Sequence, residues 1–265
     1  MGVASQPATG FGGLSIGSRS GKPRDTGLTI MVEFGLGEQA QRDLLDIASE
    51  TLDLAKIAVG IPALIPSSVL ERKIALYREY RVEAFPGGMF LEYAYAQDEV
   101  SAYFKAARSV GFEVVEVSDN AVVIAADAKM ALVCEAKDAG FTVLGEVGNK
   151  HSQSTVEYLL ADAQRLLDAG CWKVLIEAAE LLEGQQIRTE LLRAVETDLP
   201  LKNIVFELPG PWLSGVHQHQ VCGLESWLVE RFGSEVNIAN DPVGNSLFLE
   251  TYRRGIGPNM LRDAS

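Results

Sequence analysis

The feature that most constrains this chain is an alternation of short β-like runs with helix-length stretches, repeated eight times between residues 22 and 255. The β-like runs lie at 28–34, 51–57, 82–85, 112–117, 141–146, 172–177, 203–207 and 235–238. Helical spacing of apolar residues follows each run, at about 38–50, 66–80, 98–110, 127–139, 153–169, 186–197, 221–232 and 244–254. Because each crossover helix lays the next strand parallel to the last, this order predicts an α/β fold, a single (β/α)8 TIM barrel.

The length and the lack of an internal linker favour one barrel domain over two domains. A chain of 265 residues is near the size of one such barrel, and no linker composition occurs between 22 and 255. A doubly wound sheet is the alternative, but its GxGxxG fingerprint is missing from the first turn. Residues 1–21 are rich in Gly and Ser and lack any period, which predicts a flexible, partly vector-derived tail before a barrel domain at 22–265.

The charge balance narrows the classes of partner. Lys plus Arg total 23 against 36 Asp plus Glu, a net charge of −13, so the surface repels phosphate backbones and nucleic-acid binding is not expected. No apolar run approaches the roughly 18 residues of a membrane span. Three widely spaced cysteines without a CxxC pair indicate reduced thiols, and we therefore expect a cytoplasmic protein.

Charged side chains recur where the β-like runs end, which is where barrel enzymes carry their chemistry. These residues are Glu33, Lys56, Glu116, Glu146, Glu177 and Glu207, with Lys150 in the loop after Glu146. Carboxylates that point into one mouth repel one another unless lysines or a divalent cation neutralise them. Oxygen ligands of this kind favour Mg²⁺, and a lysine among them can act as a general acid or base. The alternative for each single residue is a structural ion pair at the barrel rim.

Several motifs, in order along residues 22–257, resemble the phosphosulfolactate synthase family. They include KPRDTGLTIMVEFGLG at 22–37, the lysine at 56, KIALY at 73–77, the Gly-Gly loop at 87–92 and GFEVVEVSD at 111–119. Further along come EVGNK at 146–150, the segment from Asp168 to Ala178, IVFE at 204–207 and VNIAN at 236–240. The number of motifs and their shared order make chance similarity an inadequate explanation.

The resemblance implies a TIM-barrel lyase that uses Mg²⁺ to add sulfite to phosphoenolpyruvate, giving (2R)-phospho-3-sulfolactate on a route to coenzyme M. By position it implies catalytic roles for Lys56, Lys150 and Glu146, and metal-binding or orienting roles for Glu116, Glu146 and Glu177. Substrate-binding roles are implied for Arg24, Glu33, Gly87, Gly88, Ser118, Asn237 and Asn240. A homo-oligomer is also expected.

The chain departs from the family pattern at groups that bind anions. Glu33 replaces an aspartate, and the loop Lys-x-Gly-Trp-Gly-Thr-Ser becomes Lys56 to Pro62 without its hydroxyls. Ala179 stands where an arginine is expected, and an arginine there would clamp a phosphate, sulfonate or carboxylate. Two alternatives therefore stay open: a lyase of the same superfamily acting on another enolate, and a non-catalytic, stress-associated relative.

Overall fold

The computed structural model describes residue 11 and residues 14–149, 153–184 and 186–258. Within these ranges eight parallel strands form one sheet. They are β1 (Thr29–Glu33), β2 (Leu54–Ile57), β3 (Glu83–Pro86), β4 (Val114–Val117), β5 (Thr142–Val147), β6 (Lys173–Ile176), β7 (Ile204–Glu207) and β8 (Asn237–Pro242).

Helices follow the strands and cover the outside of the sheet. They are α1 (Glu38–Ala48), α2 (Ser67–Glu79), α3 (Gly88–Ala96), α4 (Val100–Val110), α5 (Ala126–Asp138), α6 (Val156–Ala169), α7 (Thr189–Asp198), α8 (Gln218–Phe232) and α9 (Ser246–Arg253). No helix in these described ranges is long and apolar enough to span a membrane.

The sheet wraps into a nearly closed barrel in the order β3-β2-β1-β8-β7-β6-β5-β4. Every neighbouring pair in that order is parallel. The pairing of β1 with β8 joins the first strand to the last. Strands β3 and β4 contact each other without a hydrogen-bonded ladder and complete the circle. The prediction of a single (β/α)8 TIM barrel is therefore confirmed.

Helix α6 illustrates how the sequence sets each unit. The Thr155 hydroxyl accepts a hydrogen bond from the backbone N–H of Tyr158 and caps the first turn. Leu159 and Leu166 are buried on one face, seven residues apart, and pack on the sheet. Gly170, with φ +98°, ends the helix in the left-handed conformation that favours glycine. This places the next strand one short turn after the helix.

Two hydrophobic layers build the core. The larger lies between the sheet and the helices, and the smaller fills the barrel interior. The interior layer consists of Leu28, Ile30, Leu54, Phe85, Val114, Leu144, Leu175, Val205 and Ala239. Successive side chains of a strand point to opposite faces, so these residues fix which positions of each strand face inward.

Sequence periodicity missed two elements. Helix α3 begins at Gly88, the last residue of the Pro-Gly-Gly stretch at 86–88, a composition that predicts only a loop. A two-stranded antiparallel ribbon, Leu182–Glu183 with Gln186–Ile187, follows β6. Both lie in loops at the carboxyl end of the barrel, and α3 contributes directly to the candidate site.

The last residues of the predicted flexible tail include one that packs on the barrel. Residues 14–21 form no helix or strand, but the Arg19 side chain is buried. Its guanidinium donates to Glu250 at 3.2 Å, to Glu235 at 3.1 Å and to the carbonyl of Gly27 at 2.8 Å. The carbonyl of Ser234 accepts a further hydrogen bond at 2.8 Å. A buried cation with these acceptors is held in place, so the packed part of the chain begins before residue 22.

Candidate active site

Strand alternation brings five charged side chains into the mouth of the barrel. Each lies two residues after a member of the interior core layer, on the same face and nearer the carboxyl end. The five are Lys56, Glu116, Glu146, Glu177 and Glu207, and all are buried. Leu54, Val114, Leu144, Leu175 and Val205 form the apolar floor below them. One lysine and four carboxylates therefore share the upper end of the barrel interior.

Lys56 lies between two of these carboxylates. Its Nζ is 3.0 Å from Oε2 of Glu116 and 2.7 Å from Oε1 of Glu207. Burial disfavours the charged ammonium, but Glu116, Glu207 and Glu146 together outweigh it and hold the pKa of Lys56 well above its ordinary value. Lys56 therefore carries a proton at neutral pH.

Glu116 is the carboxylate whose ionisation the site opposes most clearly. Burial raises the pKa of Glu116 to about 8, against the opposing charge of Lys56, and the neighbouring Glu146 and Glu207 raise it further. Its Oε1 accepts the backbone N–H of Gly88 at 3.2 Å, at the first residue of α3. The positive end of that helix thus faces the carboxylate.

Gly88 has no room for a side chain. A Cβ there would lie 2.9 Å from Oε1 of Glu116 and closer still to the Ser118 hydroxyl. Ser118 donates its hydroxyl hydrogen to Glu92, which also accepts the backbone N–H groups of residues 120, 121 and 122. Glu92 on α3 thereby fixes the loop after β4. Ser118, which is predicted to bind substrate, is buried, and its hydrogen bond to Glu92 helps to hold this loop.

Three carboxylates form a group that can hold a metal ion. One oxygen from each of Glu146, Glu177 and Glu207 lies within 4.8 Å of the other two, and all three residues are buried. An all-oxygen set of this kind suits a hard ion such as Mg²⁺. The predicted ligands are Glu116, Glu146 and Glu177. Glu146 and Glu177 belong to this group together with Glu207, while Oε1 of Glu116 accepts the backbone N–H of Gly88.

A cavity of about 490 Å³ opens above these residues. The residues that line it include Lys56, Glu116, Glu146, Glu207, Gly87, Gly88, Asn120 and Asn240. The Asn120 amide donates to Oε1 of Glu146 at 2.5 Å, while its own Oδ1 is buried without a hydrogen-bond partner. That oxygen is available to a ligand that donates a hydrogen bond.

Asn240 reaches the cavity because the backbone of β8 breaks its alternation. Ala239 faces the interior, so a regular strand would turn the next side chain outward. Asn240 instead has φ +58°, and the register between β1 and β8 shifts at this point. The Oδ1 atom of Asn240 is buried with no hydrogen-bond partner. The predicted substrate-binding residue Asn240 thus offers an open polar group to the cavity.

Arg24 and Asn237, which are predicted to bind substrate, lie at the opposite end of the barrel. Arg24 pairs with Asp53 at 2.8 Å, immediately before β2 begins. The Asn237 amide contacts the backbone of Leu28, Lys202 and Ile204, at the start of β8. Both residues stabilise the amino end of the barrel. The sequence did not reveal this, because a family motif does not indicate which end of a strand it occupies.

Glu33, which is also predicted to bind substrate, faces away from the cavity. Glu33 shares the outward face of β1 with Met31, and its Oε1 is 2.7 Å from Nζ of Lys73 on α2. Its Oε2 accepts the backbone N–H groups of Gly35 at 2.6 Å and Leu36 at 2.8 Å. Glu33 is fully buried and holds the loop after β1, so strand alternation excludes it from the cavity.

The predicted catalytic residue Lys150 lies outside the described residues. Before it, Gly148 turns the chain with φ +110°, where a Cβ would lie 2.9 Å from Cβ of Glu177. Glu180 accepts the backbone N–H of Asn149 at 3.0 Å and pairs with Arg188 at 3.0 Å. Arg188 is therefore paired with Glu180 and does not substitute for the arginine that the family pattern has at position 179, where this chain has alanine.

Sequence reasoning missed three contributors to the site. Glu207 was recognised at a strand end but received no role, although it has the same inward position as Glu146. Asn120 and Trp212 come from loops and carry no periodic signal. Loop residues of this kind are positioned by tertiary contacts, which a single sequence does not reveal.

The fold and the site define a (β/α)8 barrel whose mouth joins a protonated lysine to a group of buried carboxylates, an arrangement suited to lyase chemistry. The chain belongs to the (2R)-phospho-3-sulfolactate synthase (ComA) family, whose model matches residues 17–258.

The curated relatives agree over nearly the whole chain. The phosphosulfolactate synthase of Methanothermobacter thermautotrophicus is 35% identical, over 90% of this chain and 92% of that protein. The phosphosulfolactate synthase of Bacillus subtilis is 28% identical, over 92% of this chain and 95% of that protein. These relatives support a lyase-type enzyme.

Solved structures share the fold at low identity. The 3-hexulose-6-phosphate synthase of Salmonella typhimurium has a TM-score of 0.53 at 13% identity, over 85% of this chain and 98% of that one. DHDPS from Cyanidioschyzon merolae has a TM-score of 0.54 at 10% identity, over 91% of this chain and 77% of that one. At such identities the likeness extends to the barrel fold alone.

Proposed function

We propose that this protein is a carbon–sulfur lyase that adds sulfite to phosphoenolpyruvate, with Mg²⁺, to form (2R)-phospho-3-sulfolactate, an early step toward coenzyme M. The observation that carries the proposal is the position of Lys56, which holds a proton between Glu116 and Glu207 inside the cavity. Family membership supplies the reaction, and the described geometry supports a proton donor next to a group of metal-binding carboxylates.

The reaction needs one new carbon–sulfur bond and one proton. The sulfur lone pair of sulfite attacks C3 of phosphoenolpyruvate, the C2–C3 double bond opens, and C2 takes up a proton while the phosphate ester is retained. Lys56 is the proposed donor of that proton, because its neighbours favour the ammonium form. Lys150 retains its predicted acid–base or anion-binding role.

The carboxylates Glu146, Glu177 and Glu207 are the residues that would hold Mg²⁺. Three buried oxygens within 4.8 Å of one another need positive charge, and a hard divalent ion fits them. The ion would neutralise this charge and stabilise the negative charge that develops on the substrate carboxylate during addition. The Asn120 amide donates a hydrogen bond to Glu146 and holds it in place. Asn240 lines the cavity, and its Oδ1 could accept a hydrogen bond from the substrate.

A second candidate is a lyase of the same superfamily that acts on a different enolate. Ala179 replaces the expected arginine, and Lys56 is the one described cation that lines the cavity. A substrate with fewer anionic groups than the pair of phosphoenolpyruvate and sulfite would suit these residues better. The non-catalytic alternative is disfavoured by the buried lysine and carboxylates, since an inactive barrel has no use for such costly groups.

Phosphorus NMR tests the proposal. Purified protein is incubated with phosphoenolpyruvate, sulfite and Mg²⁺, and each component is omitted in turn. We expect a new phosphate-ester resonance that requires all three and the protein. The Lys56→Met variant should lose at least about a hundredfold in rate, a typical contribution of a positioned acid, while Lys105→Met, an exposed lysine on α4, should keep the wild-type rate. An unchanged spectrum with folded wild-type protein would refute the sulfite reaction and favour another enolate.

We also infer a cytoplasmic homo-oligomer, as the family resemblance and the three free cysteines suggest. Light scattering of the purified protein tests the oligomeric state, and a monomer at micromolar concentration would contradict it.

A further inference from the structure

Two amide side chains of the active-site cavity carry an oxygen that no described group satisfies. Asn120 and Asn240 both line the cavity, and they are only 8% and 6% exposed. The Oδ1 atom of each is buried without a hydrogen-bond partner among the described residues. An unpaired buried acceptor costs free energy, and in a native site it commonly marks a bound ion, water or ligand. Both oxygens therefore indicate a bound group that donates hydrogen bonds.

Asn120 is tied to the metal-binding carboxylates through its nitrogen. Its Nδ2 donates a hydrogen bond to Oε1 of Glu146 at 2.5 Å. Glu146 belongs with Glu177 and Glu207 to the group that can hold an ion. The backbone N–H of Asn120 donates to Glu92 at 3.0 Å, so both the main chain and the side chain are fixed. A side chain that holds a metal-binding carboxylate in this way lies one layer outside the ion.

The backbone brings Asn240 to the same group. Ala239, the residue before it, pairs in register with Glu207 on the neighbouring strand. Asn240 itself has φ +58°, a left-handed conformation that asparagine adopts more readily than most residues but that is uncommon outside glycine. Backbone conformations of this kind concentrate at functional sites. The fold thus places a second amide in the cavity next to the strand that carries Glu207.

The chemistry of the cavity limits the identity of the donor. Phosphoenolpyruvate and sulfite present mainly acceptor oxygens, which an amide oxygen repels. Lys56 is the described cation that lines the cavity, and its ammonium contacts Glu116 and Glu207 while neither Oδ1 receives a hydrogen bond. Mg²⁺ requires six oxygens and usually keeps several of them as water. Because the ion polarises those water molecules, they are strong hydrogen-bond donors.

We propose that Asn120 and Asn240 are positioning residues of the Mg²⁺ site, and that their Oδ1 atoms accept hydrogen bonds from water molecules on the ion. This role rests on the proposed function, because it concerns the ion that Glu146, Glu177 and Glu207 would hold. The carboxylates remain the direct ligands, and the two amides orient the water. Each asparagine should then strengthen metal binding without itself coordinating the metal.

Manganese binding without any substrate tests this role. Mn²⁺ stands in for Mg²⁺, and an EPR titration of the metal-free protein measures its affinity. Asn240→Gly removes the amide and adopts φ +58° without strain. Affinity should fall by about tenfold or more, the usual effect of losing an outer partner of a metal site. Asn240→Asp retains an acceptor oxygen and should bind Mn²⁺ at least as tightly as the wild type. Asp98→Gly is the matched control, because Asp98 is exposed and has φ +59°, and it should keep the wild-type affinity.

Asn120→Leu is a second, independent variant. It removes both the acceptor oxygen and the hydrogen bond to Glu146, so affinity should fall by about tenfold to a hundredfold. Spin-echo EPR in deuterated water counts the water molecules on the bound Mn²⁺. That number should be the same in the wild type and in Asn240→Gly, because the amide does not coordinate the metal.

Several results would overturn the proposal. They are wild-type affinity in Asn240→Gly or Asn120→Leu, a fall of equal size in Asn240→Asp or Asp98→Gly, and no binding of Mn²⁺ by the wild type. One additional water on the metal in Asn240→Gly would make Asn240 a direct ligand and would also overturn it. The phosphorus NMR assay decides the sulfite reaction separately. A product signal with unchanged metal affinity in the variants would retain the proposed function and reject these positioning roles, and the expected affinities without a product would do the reverse.

Discussion

Replacing Lys56 with methionine removes the cation that Glu116 and Glu207 share among the described residues. The Lys56 side chain is 9% exposed, and its ammonium lies 3.0 Å and 2.7 Å from the two carboxylates. At an effective dielectric constant near 20, unit charges 2.7 Å apart, as in the pair of Lys56 with Glu207, attract by about 6 kcal/mol. Glu116, with a pKa of about 8, is mostly protonated at pH 7 and adds less. Because the methionine variant no longer buries an ammonium, it avoids that desolvation cost, and this offsets part of the lost attraction. Removing one partner of a buried ion pair typically costs about 3–5 kcal/mol, and we expect that loss in the free energy of unfolding at pH 7.

The loss should also grow at high pH. Burial already raises the pKa of Glu116 to about 8, above its ordinary value of 4.5. A carboxyl with a raised folded-state pKa binds more protons in the folded state, so stability falls as pH rises from about 4.5 to that pKa. Without Lys56 the pKa rises further, and the fall continues above pH 8 by up to about 1.4 kcal/mol per pH unit. The difference between variant and wild type should therefore widen between pH 8 and 9.

Urea unfolding followed by circular dichroism measures these changes. The control is Lys105→Met on the exposed face of α4, which should stay within about 0.5 kcal/mol of the wild type. A loss below about 1 kcal/mol for Lys56→Met at pH 7 would show that Lys56 does not hold the two carboxylates, and its assignment as the protonated centre of the site would fall.

Other predictions test the metal group, a buried acid and the strained loop. At Mg²⁺ concentrations 100 times its Kd, the free energy of unfolding of the wild type should rise by about 2.7 kcal/mol. The surface variant Glu230→Gln should show the same rise, and Glu177→Gln should show none. Equal rises in all three proteins would refute the metal site. Burial raises the pKa of Asp241 to about 7 from 3.8, so its contribution to stability falls as pH rises through that window. In urea titrations Asp241→Asn should be more stable than wild type by about 2–4 kcal/mol at pH 8 and similar at pH 4, and a constant difference would contradict this. Val59→Gly should raise the free energy of unfolding in urea by up to about 1 kcal/mol, because glycine adopts φ +47° without strain. Val123→Gly, at an exposed position, should lower it by about 0.5–1 kcal/mol. Two losses of equal size would refute strain at Val59.

The strands and most of the mouth could be predicted from sequence because both follow short-range periodicity. Each of the eight runs contains or overlaps a barrel strand, and the inward positions follow from alternation along that strand. The same alternation identifies Glu207 as inward and Glu33 as outward, so both could have been assigned with stricter use of strand position.

The partners within the mouth could not be predicted in this way. Whether Lys56 faces Glu116 or Glu177 depends on the tilt and stagger of the closed barrel, which a single sequence does not specify. Asn240 enters the cavity only because its backbone adopts φ +58° against the alternation of β8. Arg19 contacts Glu250, 231 residues away along the chain, and local composition could not indicate this contact.

Helix α3 was missed for a different physical reason. Its first residue, Gly88, follows a proline and a glycine, a composition that normally marks a turn. The helix begins there because Glu116 accepts the Gly88 N–H and no larger residue fits beside Ser118. A tertiary contact thus overrides the local preference at the point where α3 meets the site.

The most direct test of the central claim follows phosphoenolpyruvate labelled with carbon-13 at C3, incubated with the protein, sulfite and Mg²⁺ in deuterated water. The account predicts that the labelled vinyl carbon becomes a saturated methylene bonded to sulfur, that one deuterium appears at C2, and that the phosphate ester remains. Labelled pyruvate as the product, or unchanged phosphoenolpyruvate with folded protein, would contradict sulfite addition in this barrel.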